Sequence, residues 1–234
     1  MSIPTRQLGK TGLEVSILGF GGGHFARKHI SVEQSVALVQ RAIDAGVNFM
    51  DNAWEYHDGE SERRMGLAIE GRRQQVVLMT KVCGRDRATA EDNLHQSLAR
   101  LKTDVIDVWQ FHEINYDNDP DWICSAEGAL EAAEAARKAG KVRFIGFTGH
   151  KHPDILLRML SMGFDWDTCQ LPINVADYHF RSFQRLVLPE LLERKMGVIG
   201  MKSLGGDAQL IRDAGLTPQQ CRGYALSQPI STLV

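Results

Sequence analysis

The sequence has little net charge and no long hydrophobic run. The 234 residues carry a formal net charge of −2 at pH 7. A balance so close to neutral provides no electrostatic attraction for nucleic acid or for an anionic membrane surface. No apolar stretch approaches the roughly 20 residues that a membrane-spanning helix requires. We therefore expect neither a nucleic-acid partner nor a membrane association.

Cysteine is scarce and scattered. The four cysteines form no CxxC pair and lie far apart in the chain: Cys83, Cys124, Cys169 and Cys221. Disulfide-stapled secreted domains are dense in cysteine, and structural zinc sites usually space their cysteines closely. The polar opening MSIPTRQLGKTGLEVS also lacks the apolar segment of a signal peptide. These absences predict reduced thiols, a cytoplasmic location and no metal site.

What the sequence does contain is a regular alternation of apolar strands and amphipathic helices. The predicted strands are 16–21, 47–51, 76–81, 105–112, 142–147, 167–173, 197–202 and 230–234. The predicted helices are 32–45, 60–70, 89–102, 126–139, 153–162, 182–195 and 217–227. Two helices have candidate N-terminal caps, namely Thr89 with Asp92 and Ser31 with Gln34. Such alternation predicts a parallel sheet, because each crossover between parallel strands must traverse a helix.

The polar residues at the strand ends favour a closed barrel over an open sheet. They follow many different strands, as the set Asp51, Lys81, His112, Thr148, Gln170 and Lys202 shows. In a barrel all these ends converge on one mouth, whereas in an open sheet only those near the switch point meet. The dinucleotide fingerprint GxGxxG is also absent after the first strand. We expect one (β/α)8 TIM barrel over residues 1–234, with 5–16 as an N-terminal β-hairpin outside it.

Four of the residues at the predicted mouth form a chemically coherent set: Asp51, Tyr56, Lys81 and His112. A tyrosine is a poor acid at neutral pH unless its phenolate is stabilised, and a neighbouring ammonium does that. A carboxylate would keep a buried lysine charged and in place, and a histidine could hold a substrate oxygen. The set is suited to protonating an oxygen while a hydride reaches the attached carbon.

Each of these residues also has an ordinary structural explanation when it is taken alone. Asp51 could cap the following loop, and Lys81 could be a solvated lysine at a strand end. His112 could be a hydrogen-bonded interior histidine, and Tyr56 could simply pack. A different chemistry is open as well, since Lys81 could act as the Schiff-base amine of an aldolase. A carboxylate and a phenol beside Lys81 would disfavour that role by keeping the lysine protonated.

Several segments, in register along the chain, resemble the aldo-keto reductases. They are TRQLGKTGLEVSILGFGG, GVNFMDNAWEYHDGESE, VVLMTKV, DVIDVWQFH, GKVRFIGFTGH and MGVIGMKSLGG. The resemblance implies a (β/α)8 barrel that reduces aldehydes or ketones of small molecules with NADPH and without a metal. It implies Tyr56 as the general acid, Lys81 as the residue that lowers the Tyr56 pKa, Asp51 as the partner of Lys81, and His112 as the residue that orients the substrate.

The resemblance also implies a set of residues that contact the cofactor. They are Gly21, Gly22, Asp51, Thr148, Gln170, Met201, Ser203, Leu204 and Gly205. Two positions depart from the family pattern: Gly149 stands where an asparagine is usual, and Met201 stands where many members stack a tyrosine on the nicotinamide.

Three further expectations accompany this assignment. The sequence stops at Val234, inside the predicted eighth strand, so we expect the last strand and its helix to be cut short. The family's adenosine contacts follow that strand, so the residues present do not distinguish NADPH from NADH. An alternative to catalysis is an aldo-keto reductase-like protein that senses nucleotide with little turnover. No oligomeric state is predicted.

Overall fold

A computed structural model describes residues 3–206 and 208–234 of the chain. Within them, eight strands form one parallel sheet in which consecutive strands are neighbours. These strands are β3 (Phe20–Gly21), β4 (Phe49–Asp51), β5 (Val77–Val82), β6 (Ile106–Phe111), β7 (Val142–Thr148), β8 (Thr168–Pro172), β9 (Gly197–Met201) and β10 (Thr232–Leu233). The sheet curls back on itself, because Leu18 and Leu233 form a parallel bridge between its first and last strands. The predicted (β/α)8 fold is confirmed.

The N-terminal hairpin is also confirmed, and it covers one end of the barrel. Strands β1 (Thr5–Gln7) and β2 (Glu14–Ser16) pair in antiparallel fashion. Leu8, from the hairpin turn, is fully buried and packs in a cluster with the barrel residues Phe49 and Ile199. The Arg6 guanidinium donates to the Ile230 carbonyl at 2.7 Å. The hairpin therefore closes the end opposite the strand carboxyl termini. It also takes residues 14–16, so the first barrel strand is shorter than the predicted 16–21.

All seven predicted helical segments contain helix, and two short helices, Asp119–Cys124 and Gln209–Asp213, were not predicted. The helices are α1 (Val32–Asp44), α2 (Glu60–Ala68), α3 (Arg87–Leu101), α4 (Asp119–Cys124), α5 (Ala129–Lys138), α6 (Pro153–Ser161), α7 (Phe183–Leu186), α8 (Leu188–Glu193), α9 (Gln209–Asp213) and α10 (Pro218–Ser227). The predicted helix 182–195 is two helices, because Pro189 occupies the first turn of α8. None of the helices among the described residues has the length and apolarity needed to cross a membrane.

The helix starts show one correct and one wrong cap prediction. Ser31 caps α1 in a full capping box with Gln34, as predicted. Helix α3 begins earlier than predicted, and its cap is Asp86, whose carboxylate accepts a hydrogen bond from the Thr89 amide at 2.9 Å. Thr89 is therefore inside the first turn of α3 and does not cap it. Both helix starts fix where the preceding loops leave the barrel mouth.

The apolar core has two layers. Residues that point into the barrel, such as Phe49 and Met79, form a small cluster with the hairpin. The larger layer lies between the strands and the surrounding helices, and it includes an aromatic group around Trp166. The Trp166 ring makes edge-on contacts with Phe111 and Phe147, with ring centroids 5.9 and 5.2 Å apart. This packing holds the sheet rigid, so the strand ends present side chains in fixed positions.

Candidate active site

The four residues predicted to act together meet at the carboxyl end of the barrel, and we call them the mouth cluster. Asp51 is the last residue of β4, Lys81 lies next to the end of β5, and His112 directly follows β6. Tyr56 lies on the loop between β4 and α2. Asp51, Lys81 and His112 are 4%, 1% and 5% exposed. The barrel therefore brings together side chains that are as many as 61 positions apart in the chain, Asp51 and His112.

Lys81 is the centre of the mouth cluster. Its ammonium donates to the Asp51 carboxylate in an ion pair, and to the Asn52 carbonyl at 2.8 Å. It also lies 3.3 Å from the Tyr56 hydroxyl oxygen. Three acceptors thus match the three donors of one ammonium group. A buried ion pair is tolerated when its remaining hydrogen-bonding capacity is satisfied in this way.

The electrostatics keep Lys81 charged. Burial lowers the pKa of Lys81, but the Asp51 charge and Tyr56 together raise it by more, so the net pKa lies above its usual value. The pKa of Tyr56 is raised as well, chiefly because burial disfavours the phenolate. Lys81 acts in the expected direction, since it lowers the Tyr56 pKa, yet burial outweighs it. At neutral pH, Tyr56 is therefore a protonated phenol beside an ammonium.

Gln170, on β8, reaches across the barrel to the same carboxylate. Its side-chain amide nitrogen donates to Asp51 Oδ2 at 2.9 Å, while Lys81 uses Asp51 Oδ1. The Gln170 amide oxygen, Oε1, is buried and has no hydrogen-bond partner among the described residues. A buried acceptor without a partner is costly, and in a native structure it commonly marks a place for a ligand or water. The carbonyl of Asp51 is also occupied, since it accepts from the Gly22 amide at 2.6 Å.

His112 is held by a residue that the sequence reasoning did not identify. Glu55 Oε1 lies 3.1 Å from His112 Nδ1, and Glu55 directly precedes Tyr56. The hydrogen bond from His112 lowers the pKa of Glu55 to about 2. Burial is the main cause of a lowered His112 pKa, although Glu55 opposes it. A neutral His112 that donates from Nδ1 to the carboxylate is consistent with both directions.

Cys83 is the second residue that the sequence reasoning did not place at the site. Its sulfur lies 3.4 Å from Glu55 Oε2 and 4.0 Å from His112 Nδ1. Burial, with Glu55 adding to it, raises the Cys83 pKa to about 12, so the group is a thiol at neutral pH. A sequence signal existed, because residues 81 and 83 are two apart at the end of one strand and so share a face.

The remaining residues expected to contact a cofactor surround the same mouth. Thr148 ends β7 and is buried, and Met201 ends β9 and is partly exposed. Ser203, Leu204 and Gly205 form the turn after β9, where the Gly205 amide donates to the Lys202 carbonyl at 2.8 Å.

Gly21 and Gly22 differ in their surroundings. A Cβ at Gly21 would meet no described atom within 4 Å, so this backbone faces open space. A Cβ at Gly22 would lie 2.6 Å from the Asp51 carbonyl oxygen. The contact that demands glycine at position 22 is therefore with strand β4. Whether either backbone also approaches a cofactor stays a prediction.

Comparison with known proteins gives a family. The model of the Aldo/keto reductase family matches residues 17–220. The aldo-keto reductase YhdN of Bacillus subtilis is 29% identical over 211 residues, which cover 83% of this chain and 60% of that protein. L-galactose dehydrogenase of Arabidopsis thaliana is 33% identical over 159 residues, which cover 63% of this chain and 49% of that protein. The chain thus spans about half to three fifths of the length of these curated relatives.

Solved structures show the same fold. The holo form of aldo-keto reductase AKR11C1 from Bacillus halodurans has a TM-score of 0.81 at 22% identity, covering 99% of this chain and 85% of that chain. An aldo/keto reductase from Klebsiella pneumoniae in complex with NADP and acetate has a TM-score of 0.74 at 24% identity, covering 98% of this chain and 80% of that chain. With the family model matching residues 17–220, the chain belongs to the aldo/keto reductase family.

Proposed function

We propose that this protein reduces aldehyde or ketone groups of small molecules to alcohols with NAD(P)H, and that Tyr56 is the general acid. The observation that carries the proposal is the buried Lys81 ammonium, which is paired with Asp51 and lies 3.3 Å from the Tyr56 hydroxyl. This arrangement stabilises a phenolate beside His112, whose ring lies edge-on to Tyr56 with the ring centroids 5.5 Å apart. A structural role alone does not explain this buried ion pair, because well-packed apolar groups of similar size would stabilise the fold as well or better.

The proton in this proposal belongs to Tyr56. The raised pKa of Tyr56 keeps its phenol protonated at neutral pH, so the proton is in place before the reaction begins. The oxygen that forms on reduction is an alkoxide, which is far more basic than a phenolate, so proton transfer from Tyr56 remains downhill. Lys81 then stabilises the phenolate left behind, and Asp51 keeps Lys81 charged throughout. His112, held through Nδ1 by Glu55, borders the substrate oxygen, and its unprotonated Nε2 can accept a hydrogen bond from the hydroxyl of the alcohol that forms.

The residues at the mouth fit a nicotinamide cofactor, which would supply the hydride. The strongest support is the unpartnered Gln170 Oε1, because a carboxamide NH₂ would satisfy this buried acceptor. We propose that Thr148 and Met201 border the same ring, and that Ser203, Leu204 and Gly205 lie along the pyrophosphate. Gly21 and Gly22 would border the cofactor from the side of β3. The Klebsiella pneumoniae relative bound to NADP supports the choice of cofactor class, and the proposal covers NADPH and NADH.

The test is a comparison of two tyrosine variants in a reductase assay with NADPH and a panel of small aldehydes. Tyr56→Phe is expected to lose at least about two orders of magnitude in kcat while its NADPH affinity, measured by fluorescence titration, stays unchanged. Tyr224→Phe is the matched control, because Tyr224 lies on α10 and its hydroxyl bonds Gln184. Near wild-type turnover by Tyr56→Phe would show that Tyr56 is not the acid.

Two other functions predict different results in the same assays. A nucleotide-sensing protein would bind NADPH without measurable turnover on any carbonyl. An aldolase would use Lys81 as a nucleophile, and borohydride with a carbonyl substrate would then trap the substrate on Lys81. The raised Lys81 pKa opposes this second role, since a protonated amine is no nucleophile. The small-molecule carbonyl partner and the cytoplasmic location remain part of the proposal.

A further inference from the structure

A mixed set of metal-ligating atoms lies beside the mouth cluster. Across residues 3–206 and 208–234, one group of three potential ligand residues has all its ligand atoms within 4.8 Å of one another: Glu55, Cys83 and His112. The set combines a carboxylate, a thiol and an imidazole, which are the three donor types found on zinc in proteins. Acidic surface clusters are common, but a cysteine and a histidine converging on one glutamate are much less so.

We propose that Glu55, Cys83 and His112 bind one divalent zinc-class ion. The ligands would be Cys83 Sγ, His112 Nδ1 and one Glu55 carboxylate oxygen. Three protein ligands leave one tetrahedral position for water or an exogenous ligand, as in open zinc sites. Glu55 is the entry route, because its side chain is 45% exposed while the His112 side chain is 6% exposed.

The distances between the ligand atoms suit this ion. With usual zinc–ligand bond lengths, a tetrahedral site separates nitrogen from oxygen by about 3.3 Å, oxygen from sulfur by about 3.5 Å, and nitrogen from sulfur by about 3.6 Å. In the structure His112 Nδ1 lies 3.1 Å from Glu55 Oε1, and the Cys83 sulfur lies 3.4 Å from Glu55 Oε2 and 4.0 Å from His112 Nδ1. The two shorter contacts use different oxygens of the Glu55 carboxylate, and one ligand atom from each of the three residues lies within 4.8 Å of the other two. The exposed carboxylate therefore has to rotate, and the sulfur has to approach by a few tenths of an ångström, for the three atoms to match a tetrahedral ion.

The charges around the site allow a cation to bind. Lys81 and Arg85 would repel a metal ion, but each is already in an ion pair, Lys81 with Asp51 and Arg85 with Asp119 at 3.0 Å. Glu55 supplies one negative charge, and Glu113, the residue after His112, supplies another nearby. As the sulfur–metal bond forms, the Cys83 thiol releases its proton to solvent, which is the usual way a thiol becomes a zinc ligand. His112 stays neutral but changes tautomer, so that Nδ1 is free to bind the ion and the ring proton lies on Nε2.

A metal ion bound at this site would inhibit carbonyl reduction, and this consequence rests on the proposed function. The ion would replace Glu55 as the partner of His112 Nδ1 and would fix the ring in a new position. Proton transfer from Tyr56 to the substrate oxygen needs no metal. Zinc would therefore act as an inhibitor whose effect a chelator reverses, and carbonyl reduction would be sensitive to it even at saturating NADPH.

The binding test does not depend on activity. Metal-free protein is titrated with Co²⁺, which substitutes for zinc and gives a thiolate-to-cobalt charge-transfer band in the near ultraviolet. We expect one equivalent to produce this band and one equivalent of Zn²⁺ to abolish it. Cys83→Ser, Cys83→Ala and Glu55→Gln should each weaken binding by at least about a hundredfold, since even outer ligand partners are worth 10–100-fold. Circular dichroism confirms that each variant is folded.

Two matched controls make the result decisive. Cys124→Ala removes the other half-buried thiol, and Glu113→Gln removes a neighbouring charge without removing a ligand. Both should retain the band. Absence of the band in the wild type, or its persistence in Cys83→Ser, would overturn the proposed site. If the band behaves as expected but zinc leaves carbonyl reduction unchanged, the site stands and the inhibition is wrong. A protein without reductase activity would still give the same cobalt result.

Discussion

Removal of the Lys81 ammonium should destabilise the fold far more than removal of an exposed cation. In Lys81→Met, the Asp51 carboxylate, 4% exposed, loses its counter-ion and keeps the Gln170 amide as a donor. Breaking a buried ion pair by removing one partner costs about 3–5 kcal/mol, because an uncompensated charge remains. That is a large fraction of the 5–15 kcal/mol typical of a domain.

The double variant Asp51→Asn/Lys81→Met separates charge from packing. With both ionised groups gone, no charge is left buried, so we expect at least about 1.5 kcal/mol of the Lys81→Met loss to be recovered. The assay is urea unfolding at pH 7, followed by circular dichroism, without any cofactor. Arg158→Met is the control, because the Arg158–Asp121 pair is 45% and 50% exposed and should contribute less than about 1 kcal/mol.

Two outcomes would refute this reasoning. One is a Lys81→Met variant that is no less stable than Arg158→Met. The other is a double variant as unstable as Lys81→Met alone, which would mean that the lost packing of the lysine stem dominates and the charge of Asp51 does not.

Three further perturbations test other parts of the structure. Ser31→Ala, at the N-cap of α1, should cost about 1 kcal/mol in urea unfolding. Gly9 and Gly12 both have positive φ, but a Cβ at Gly9 would overlap backbone atoms, whereas a Cβ at Gly12 would meet nothing within 4 Å. Gly9→Ala should therefore lower the free energy of unfolding by at least about 2 kcal/mol more than Gly12→Ala does. Glu55 has its pKa lowered to about 2 from 4.5, so the stability it contributes is present above pH 4.5 and is lost as the pH falls towards 2. The free energy of unfolding of the wild type should thus exceed that of Glu55→Gln by on the order of 1 kcal/mol at neutral pH, and the two values should converge near pH 2.

The sequence predicts the mouth cluster because parallel strands impose their own geometry. Once Asp51, Lys81 and His112 are placed at the ends of successive strands, the sheet brings them together whatever the helices do. Strand and helix order follow equally directly from the hydrophobic pattern. The errors lie where two local signals compete. Asp86 and Thr89 both can cap α3, and the carboxylate, which is the stronger acceptor, takes the role.

The contacts that Glu55 and Cys83 make with His112 were not predicted from the sequence for a different reason. Glu55 lies on a loop in which the two residues after Tyr56, His57 and Asp58, adopt positive φ. The direction of its side chain depends on that unusual backbone, which no periodicity encodes. Cys83 shares a strand face with Lys81, but whether its sulfur reaches His112 is decided by the twist between β5 and β6.

The hairpin at the closed end of the barrel has a consequence for how the chain folds. Arg6 binds the carbonyls of Leu226 and Ile230, more than 200 residues away, and Leu18 bridges to Leu233. During synthesis residue 6 leaves the ribosome well before residue 230, so the hairpin lacks its contacts with Leu226 and Ile230 for most of that time. Contacts of such sequence separation also slow folding, because the intervening loop must close first. We therefore expect the strands from β4 to β8 to associate before the ring closes between β3 and β10.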